Sequence, residues 1–291
     1  VVKKSIVIIG SSHYRKSTVE SMLSEARNYF DKVLFVPLTK IRVEIESGKK
    51  GIFYKGNNLL DFDVCYPRFS SKDYTMAELV LSLIDKANVY SPVNLDAYHI
   101  TNHKYYTMQK LASAGLPMVE SSLFISPESA IEPIREFGFP VVIKLIAGFA
   151  GKGVMLIENE KQLESILDTV HLFDDFVSAQ RYVKGKNTDI RCYVIGAKVI
   201  GVKRTGKIGE WRTNISRGGC AEVIELTNET KEIALKTANL FGMDICAVDL
   251  IETKKGLAVI EVNFMPGPFK KYLGNRIPHE MMKFLSRKVT K

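Results

Sequence analysis

Two short apolar stretches near the C-terminus, Ile245–Ile251 and Leu257–Phe264, carry Asp249, Glu261 and Asn263 at positions where a buried strand ordinarily holds hydrophobic side chains. The run between them, Glu252-Thr253-Lys254-Lys255-Gly256, is polar and contains glycine, so the two stretches read as an antiparallel hairpin. Strand side chains alternate with period 2. Glu261 and Asn263 therefore share a face, and Asp249 can meet them across the ladder if the register suits. A carboxylate buried alone is strongly disfavoured, so these acids require a cation, a basic partner or exposure at a cleft. Converging oxygen ligands suit magnesium or manganese. The competing reading leaves both acids at the ends of an edge strand, solvated and paired with lysines such as Lys254.

A second unusual segment lies more than a hundred residues upstream, Val141–Ile157, and reads as strand, glycine loop, strand. Gly148, Gly151 and Gly153 permit positive φ and close backbone approach, so the loop amides are suited to cradling phosphate oxygens, with Lys144 projecting from the preceding strand. Without the acidic hairpin this segment is equally well an ordinary hairpin. The Walker A spacing is absent, and an apolar, β-branched segment follows the loop instead of a helix start. A decoy lies near the N-terminus, Gly10-Ser11-Ser12-His13-Tyr14-Arg15-Lys16-Ser17-Thr18, but Arg15 stands where the second Walker glycine is needed to let the backbone wrap phosphates.

The 291 residues suffice for two or three cores enclosing a cleft. No apolar run approaches the roughly 20 residues of a membrane helix, and the opening Val1–Gly10 stretch is too short for a signal peptide, so a cytoplasmic protein without membrane association is expected. Cys65, Cys192, Cys220 and Cys246 are widely separated, which argues against zinc and disulfides. The net charge of +9 favours anionic partners. Its lysines fall in scattered pairs instead of a tract interleaved with aromatic residues, which weighs against nucleic acid.

The organisation predicted is mixed α/β and α+β. Residues 1–93 alternate strands (Ser5–Ile9, Lys32–Pro37, Gly51–Tyr54, Val64–Tyr66) with helices (Val19–Phe30, Met76–Ala87), an open α/β unit. Arg68 follows an apolar strand, where such a sheet presents side chains to a crevice; an ordinary exposed loop arginine is the alternative. Residues 94–117 form a link with a helix over Tyr105–Ala114. Residues 118–184 contain helices near Pro127–Phe137 and Lys161–Leu167, the glycine hairpin and a strand Phe176–Val183. Residues 185–291 are mostly strands, interrupted by the helix Thr230–Phe241 with Gly242 as its C-cap.

The ordered set Lys104, Lys144 with its glycine hairpin, Gln180-Arg181-Tyr182-Val183, Asp189-Ile190-Arg191, Arg212-Thr213-Asn214, Arg217-Gly218-Gly219, Asp249 and Glu261-Val262-Asn263 resembles the ATP-grasp ligases, in particular the RimK-like branch. Pro67-Arg68 and Asn94–Lys104 extend the likeness over the pre-ATP-grasp domain, so that it spans nearly the whole chain. The resemblance implies a pre-ATP-grasp unit followed by a two-part ATP-grasp fold enclosing a nucleotide cleft. It implies ATP phosphates on Lys104 and Lys144 under the loop of Gly148, Gly151 and Gly153. Adenine would lie near Gln180, Arg181, Tyr182 and Val183, and Asp189 would serve the ribose or a neighbouring base, braced by Arg191. Arg212, Thr213 and Asn214 would face the phosphates, Arg217 an acyl phosphate, and Asp249, Glu261 and Asn263 magnesium or manganese. One departure is Arg181, where the branch commonly carries an acid. Lys270 and Lys271, after the metal strand, would attract a carboxylate or simply begin a terminal helix.

The activity implied is ATP-dependent amide formation between a carboxylate and an amine such as the amino acid glutamate, through an acyl phosphate. Arg68, Arg204, Arg212 and Arg217 are the candidates for orienting the carboxylate. The basic composition favours a carboxylate on an acidic protein tail or carrier, and a homo-oligomer stays open. Two alternatives remain: a small-molecule kinase on the same fold, and a non-catalytic nucleotide- or nucleic-acid-binding protein.

Overall fold

The computed structural model describes residues 3–46, 49–145, 153–171, 177–185, 187–213, 218–267 and 270–289. The chain enters on β1 (Ser5–Gly10), turns through α1 (Lys16–Ala26) and returns as β2 (Lys32–Pro37), parallel to β1. A small antiparallel sheet of β3 (Arg42–Glu46), β4 (Lys49–Tyr54) and β5 (Asn57–Asn58) follows. Strand β6 (Val64–Arg68) then pairs in parallel with the other side of β1, giving the order β2-β1-β6. Central β1 is buried from Ile6 to Gly10, which explains its unbroken apolar run. The predicted Val19–Phe30 helix lies earlier, because its last apolar positions are used differently. Tyr29 and Phe30 pack into the core from the turn beyond the helix, with Phe30 N donating to Ala26 O.

Helices α2 (Tyr74–Asp85), α3 (Leu95–Asn102) and α4 (Lys104–Ser113) lead into a small lobe. There β7 (Ser121–Phe124), α5 (Pro127–Phe137), β8 (Val141–Leu145), β9 (Val154–Ile157), α6 (Glu160–His171) and β10 (Val177–Arg181) form an antiparallel sheet in the order β7-β10-β8-β9. Its helices cover one face through Ala130, Ile134, Leu163 and Leu167.

The large lobe comprises β11 (Thr188–Ile195), β12 (Lys198–Thr205), β13 (Cys220–Ile224), α7 (Asn228–Leu240), β14 (Ile245–Thr253), β15 (Gly256–Asn263), α8 (Lys270–Leu273) and α9 (Arg276–Lys288). Its sheet runs β13-β12-β11-β14-β15, antiparallel throughout. Helix α7 closes as predicted: Gly242 adopts φ of 64° and Met243 N donates to Ala238 O at 3.0 Å.

Both faces of the large sheet are covered. Cys192, Val194, Cys246 and Val248 pack with residues of α4 and α7, while Tyr193, Ile195, Ile200, Val202 and Ile245 pack against α9, α1 and β1. The second core therefore joins the N-terminal unit to the large lobe. Burial pushes the Cys65 and Cys192 thiols up to about 12 and also raises Cys246, which keeps all three protonated. Among the described residues, no helix is long and apolar enough to cross a membrane.

Candidate active site

The large sheet changes character along one face. On β11 the residues Asp189, Arg191, Tyr193 and Ile195 alternate onto that face, and β12 adds Ile200, Val202 and Arg204. The apolar end lies under α9, whereas the charged end collects Asp189, Arg191 and Arg204. The hairpin register completes it. Asp249 stands opposite both Arg191 and Glu261, and Asn263 stands opposite Ala247, one alternation away. The period-2 argument from sequence thus brings Asp249, Glu261 and Asn263 onto one face, with a register irregularity immediately after Asp249.

Of the three ways to accommodate these acids, Asp249 takes basic partners and Glu261 takes exposure. Asp249 is only 1 % exposed and is held by two guanidinium groups. Arg191 donates from Nε to Oδ1 at 2.7 Å and from Nη2 to Oδ2 at 2.6 Å, while Arg204 Nη2 lies 2.9 Å from Oδ2. Arg204 also donates to Asp189 through Nε at 2.6 Å and Nη2 at 2.7 Å, and Thr213 Oγ1 donates to the same carboxylate. Two carboxylates and two guanidiniums therefore alternate in a chain, Asp189–Arg204–Asp249–Arg191. Burial acts to raise the Asp249 pKa, but Arg191 and Arg204 outweigh it and hold it below the usual carboxylate range. For Asp189 burial wins over Arg204, and its pKa is raised. The expectation that Arg191 braces Asp189 is corrected: directly opposed residues across a ladder lie closer than i, i+2 neighbours on one strand. Arg191 faces Asp249, and Asp189 faces Arg204.

Lys144 comes from β8 of the small lobe, and the charges that perturb it are those of Glu261, Lys104 and Asp249. The two predicted phosphate lysines and the two predicted metal acids thus form one electrostatic neighbourhood. Burial lowers Lys144 to about 8, Lys104 adds to the lowering, and the two acids oppose it. Its Nζ donates to Gln180 Oε1 at 2.6 Å, Gln180 Nε2 donates to Ser121 Oγ at 3.0 Å, and Ser121 Oγ donates to Val119 O at 2.9 Å. Gln180 therefore holds the lysine, and Ser121, unremarked in the sequence, supports Gln180.

Gly153 adopts φ of 70°, the left-handed conformation expected of a loop glycine. Beside it, Arg212 Nη2 donates to Val154 O at 2.7 Å, so this arginine of the large lobe reaches the outgoing strand of the glycine hairpin. The Arg212 guanidinium also covers the Trp211 ring at 4.8 Å, and Trp211 meets Tyr182 edge to face at 6.3 Å. Trp211 carried no motif signal, although it is the chain's single tryptophan. Tyr182 and Val183 are half-buried after β10.

The Arg181 side chain turns outward. It pairs with Glu120 at 2.8 Å and donates to Phe137 O at 2.8 Å. Arg68 is buried, donating to Tyr66 Oη at 3.1 Å and Pro266 O at 3.2 Å. The decoy loop near the N-terminus folds around an acid: Asp73 accepts from Ser12 N at 3.1 Å and Ser70 Oγ at 2.7 Å, while Lys16 is 87 % exposed beside Glu20. Gly148, Gly151, Asn214 and Arg217 lie outside the described residues, as do the side chains of Lys270 and Lys271.

Oxygen donors from Asp249, Glu261 and Asn263 suit a hard divalent cation. Asn263 Nδ2 is buried without a hydrogen-bond partner among the described residues, and the atom of this amide that would ligate a cation is its Oδ1. Asp249 Oδ1 accepts only the Arg191 Nε bond among the contacts described, which leaves it further capacity. These residues fit a magnesium ion. Among the described residues, no group of three His, Cys, Asp or Glu side chains is placed to hold a metal.

The sequence profile of the RimK-like ATP-grasp domain matches residues 101–285. A probable alpha-L-glutamate ligase of Histophilus somni is 37% identical over 211 residues, covering 72% of this chain and 71% of its own length. One from Alkalilimnicola ehrlichii is 30% identical over 286 residues, covering 97% and 95%. In architecture the chain is similar to the ATP-grasp ligase PsnB complexed with a phosphomimetic variant of a minimal precursor, Mg and ADP. That similarity has a TM-score of 0.76 at 21% identity and covers all of both chains.

Proposed function

We propose, from the premise that this chain belongs to the RimK-like ATP-grasp family and is an ATP-dependent carboxylate–amine ligase, that it joins an amino acid, glutamate first among them, to a carboxylate by way of an acyl phosphate. The observation that carries the reading is the shared neighbourhood of Lys144, Lys104, Asp249 and Glu261, two cations and two acids contributed by both lobes and the link between them. The name shared by the Histophilus somni and Alkalilimnicola ehrlichii relatives supports glutamate as the amine.

In this reading a substrate carboxylate oxygen attacks the γ-phosphorus, and the bond to ADP breaks. The amine then attacks the acyl carbon, and phosphate leaves carrying the attacking oxygen. Lys104 and Lys144 neutralise phosphate oxygens, and the Gln180–Ser121 relay keeps the Lys144 ammonium aimed rather than free to swing. Backbone groups near Gln180, Arg181, Tyr182 and Val183 meet adenine. The Arg181 side chain, engaged with Glu120, takes no part. Arg212, Thr213 and Asn214 attend the phosphates, and Arg217 the acyl phosphate. Arg191 and Arg204 keep Asp249 ionised and oriented. Magnesium, held by Asp249, Glu261 and Asn263, would supply charge neutralisation on the polyphosphate.

The net charge of +9 supports a carboxylate carried on an acidic protein tail or carrier, and the use of ATP supports a cytoplasmic setting. A release assay for ADP and phosphate over pairs of carboxylates and amines, with mass spectrometry of the product, tests the reading. The expected result is ADP formed only with both substrates and a product equal to their sum less water. A stable phosphoryl ester formed without any amine would point to a kinase instead.

A further inference from the structure

We propose that Tyr193 and Arg68 are positioning residues for the divalent-metal site, acting through the backbone that follows the metal strand; this inference rests on the reading of Asp249, Glu261 and Asn263 as metal ligands.

Strand β15 ends at Asn263, and the next residues, 264–267, carry no regular structure of their own. Their backbone is secured by side chains from two distant elements. Tyr193 Oη of β11 donates to Gly267 O at 2.6 Å, and Arg68 Nη2 of β6 donates to Pro266 O at 3.2 Å. The Phe264 ring meets the Tyr98 ring edge to face at 5.1 Å. A segment that leaves a strand without ladder bonds is steered by its own prolines, here Pro266, only locally, so its placement depends on contacts from other elements. Here the direction is set by a phenol, a guanidinium and an aromatic contact.

Tyr193 is fully buried and also hydrogen-bonds Arg191, whose guanidinium grips Asp249. A continuous polar path therefore runs from Asp249 through Arg191 and Tyr193 to the Gly267 carbonyl, four residues beyond Asn263. Burial raises the Tyr193 pKa, so the phenol stays a donor at all working pH values. Arg68 gives the N-terminal unit a second hold on the same segment, and Tyr66 Oη, which receives Arg68 Nη1, fixes the guanidinium in turn. Loss of a group that orients metal ligands from outside the coordination sphere typically costs about 10–100-fold in metal affinity.

The test is Mn2+ binding followed by electron paramagnetic resonance in the presence of ADP, for the full chain and for Tyr193→Phe, Arg68→Met, Arg68→Lys, the Tyr193→Phe/Arg68→Met double variant and Asp249→Asn. Tyr193→Phe and Arg68→Met are expected to weaken Mn2+ binding about tenfold each, with ADP affinity in the absence of metal nearly unchanged. Arg68→Lys, which keeps a donor for Pro266 O, should recover most of the loss. The double variant should lose less than the product of the single losses, because both act on one segment. Unchanged Mn2+ affinity in folded Tyr193→Phe and Arg68→Met, with Asp249→Asn strongly impaired, would overturn the positioning role alone. An Asp249→Asn variant that binds Mn2+ as well as the wild type would instead overturn the metal reading. A raised KM for the carboxylate with intact metal affinity in Arg68→Met would assign Arg68 to the substrate, against this inference.

Discussion

Arg191 and Asp249 face each other across adjacent strands of the large sheet and form a two-point ion pair, Nε to Oδ1 at 2.7 Å and Nη2 to Oδ2 at 2.6 Å. Truncating one member of such a pair leaves a buried charge without compensation, which costs about 3–5 kcal/mol, less whatever Arg204 retains. Arg191→Met should therefore lower Tm by many degrees, and magnesium should restore part of the loss by supplying the missing positive charge. Thermal denaturation with and without magnesium measures both effects. An Arg191→Met protein as stable as the wild type without the metal would contradict the assignment.

The same pair dictates which substitutions test the metal ligands. Asp249→Ala strands two arginines and is expected to disturb folding, so loss of turnover in it would be ambiguous. Glu261 is exposed, and Glu261→Gln should leave Tm within about 1 kcal/mol equivalent of the wild type while removing magnesium-dependent turnover. Persistent turnover in a folded Glu261→Gln enzyme would count against its role.

Lys144 sits at about 8, below the ordinary lysine value, so the free protein loses this charge as pH rises through that point. Nucleotide phosphates favour the charged form and should draw a proton onto Lys144, so ADP binding above pH 8 is expected to take up close to one proton and to weaken with rising pH. Calorimetry in buffers of different ionisation enthalpy reads the uptake directly. Gln180→Glu puts a carboxylate where the Gln180 amide now meets Nζ and should move the midpoint upward by roughly one unit or more. A midpoint that stays near 8 in this variant would separate Lys144 from the titration. For the folding equilibrium the sign is the reverse of a salt bridge: a lowered lysine pKa makes the fold more stable as pH rises from about 8 toward the unfolded value.

Asp73 gives a slope of the same sign at the acid end, but its shift stabilises the fold at neutral pH. Burial acts to raise its pKa, but hydrogen bonds from Ser11, Ser12 and Ser70 prevail and bring it to about 2. Its contribution, on the order of 1 kcal/mol, is present above the ordinary carboxylate value and is lost as pH falls through about 2. Asp73→Asn should be less stable than the wild type at pH 7 and indistinguishable from it near pH 2 in denaturant titrations. In the same loop, Lys16→Ala should leave ADP affinity unchanged, because this lysine is 87 % exposed. A larger loss there than in Lys144→Ala would return the phosphate site to the N-terminal loop.

How much of this was legible in the sequence depends on the distance between partners. The hairpin was readable because its two strands are joined by a few residues, and alternation then put Asp249, Glu261 and Asn263 on one face. The order of motifs likewise identified the family. The arginine partners of Asp249 were not readable, because β11 and β14 are separated by some fifty residues, and only the folded register sets Arg191, not Asp189, against Asp249. Ser121 and Trp211 are illegible in the sequence for a similar reason. Their importance lies in contacts with motif residues, Gln180 for Ser121 and Arg212 and Tyr182 for Trp211, and neither has a motif of its own. Arg68 stands out in the sequence by its position after an apolar strand, but its contact with the Pro266 carbonyl appears only in the fold.

The central claim, that a carboxylate is activated by phosphorylation at this site, is tested most directly by isotope transfer. With a substrate whose carboxylate carries oxygen-18, turnover with ATP and an amine is predicted to release phosphate containing one labelled oxygen, detected by mass spectrometry, and to leave one label in the amide. Unlabelled phosphate accompanying amide formation would contradict the account.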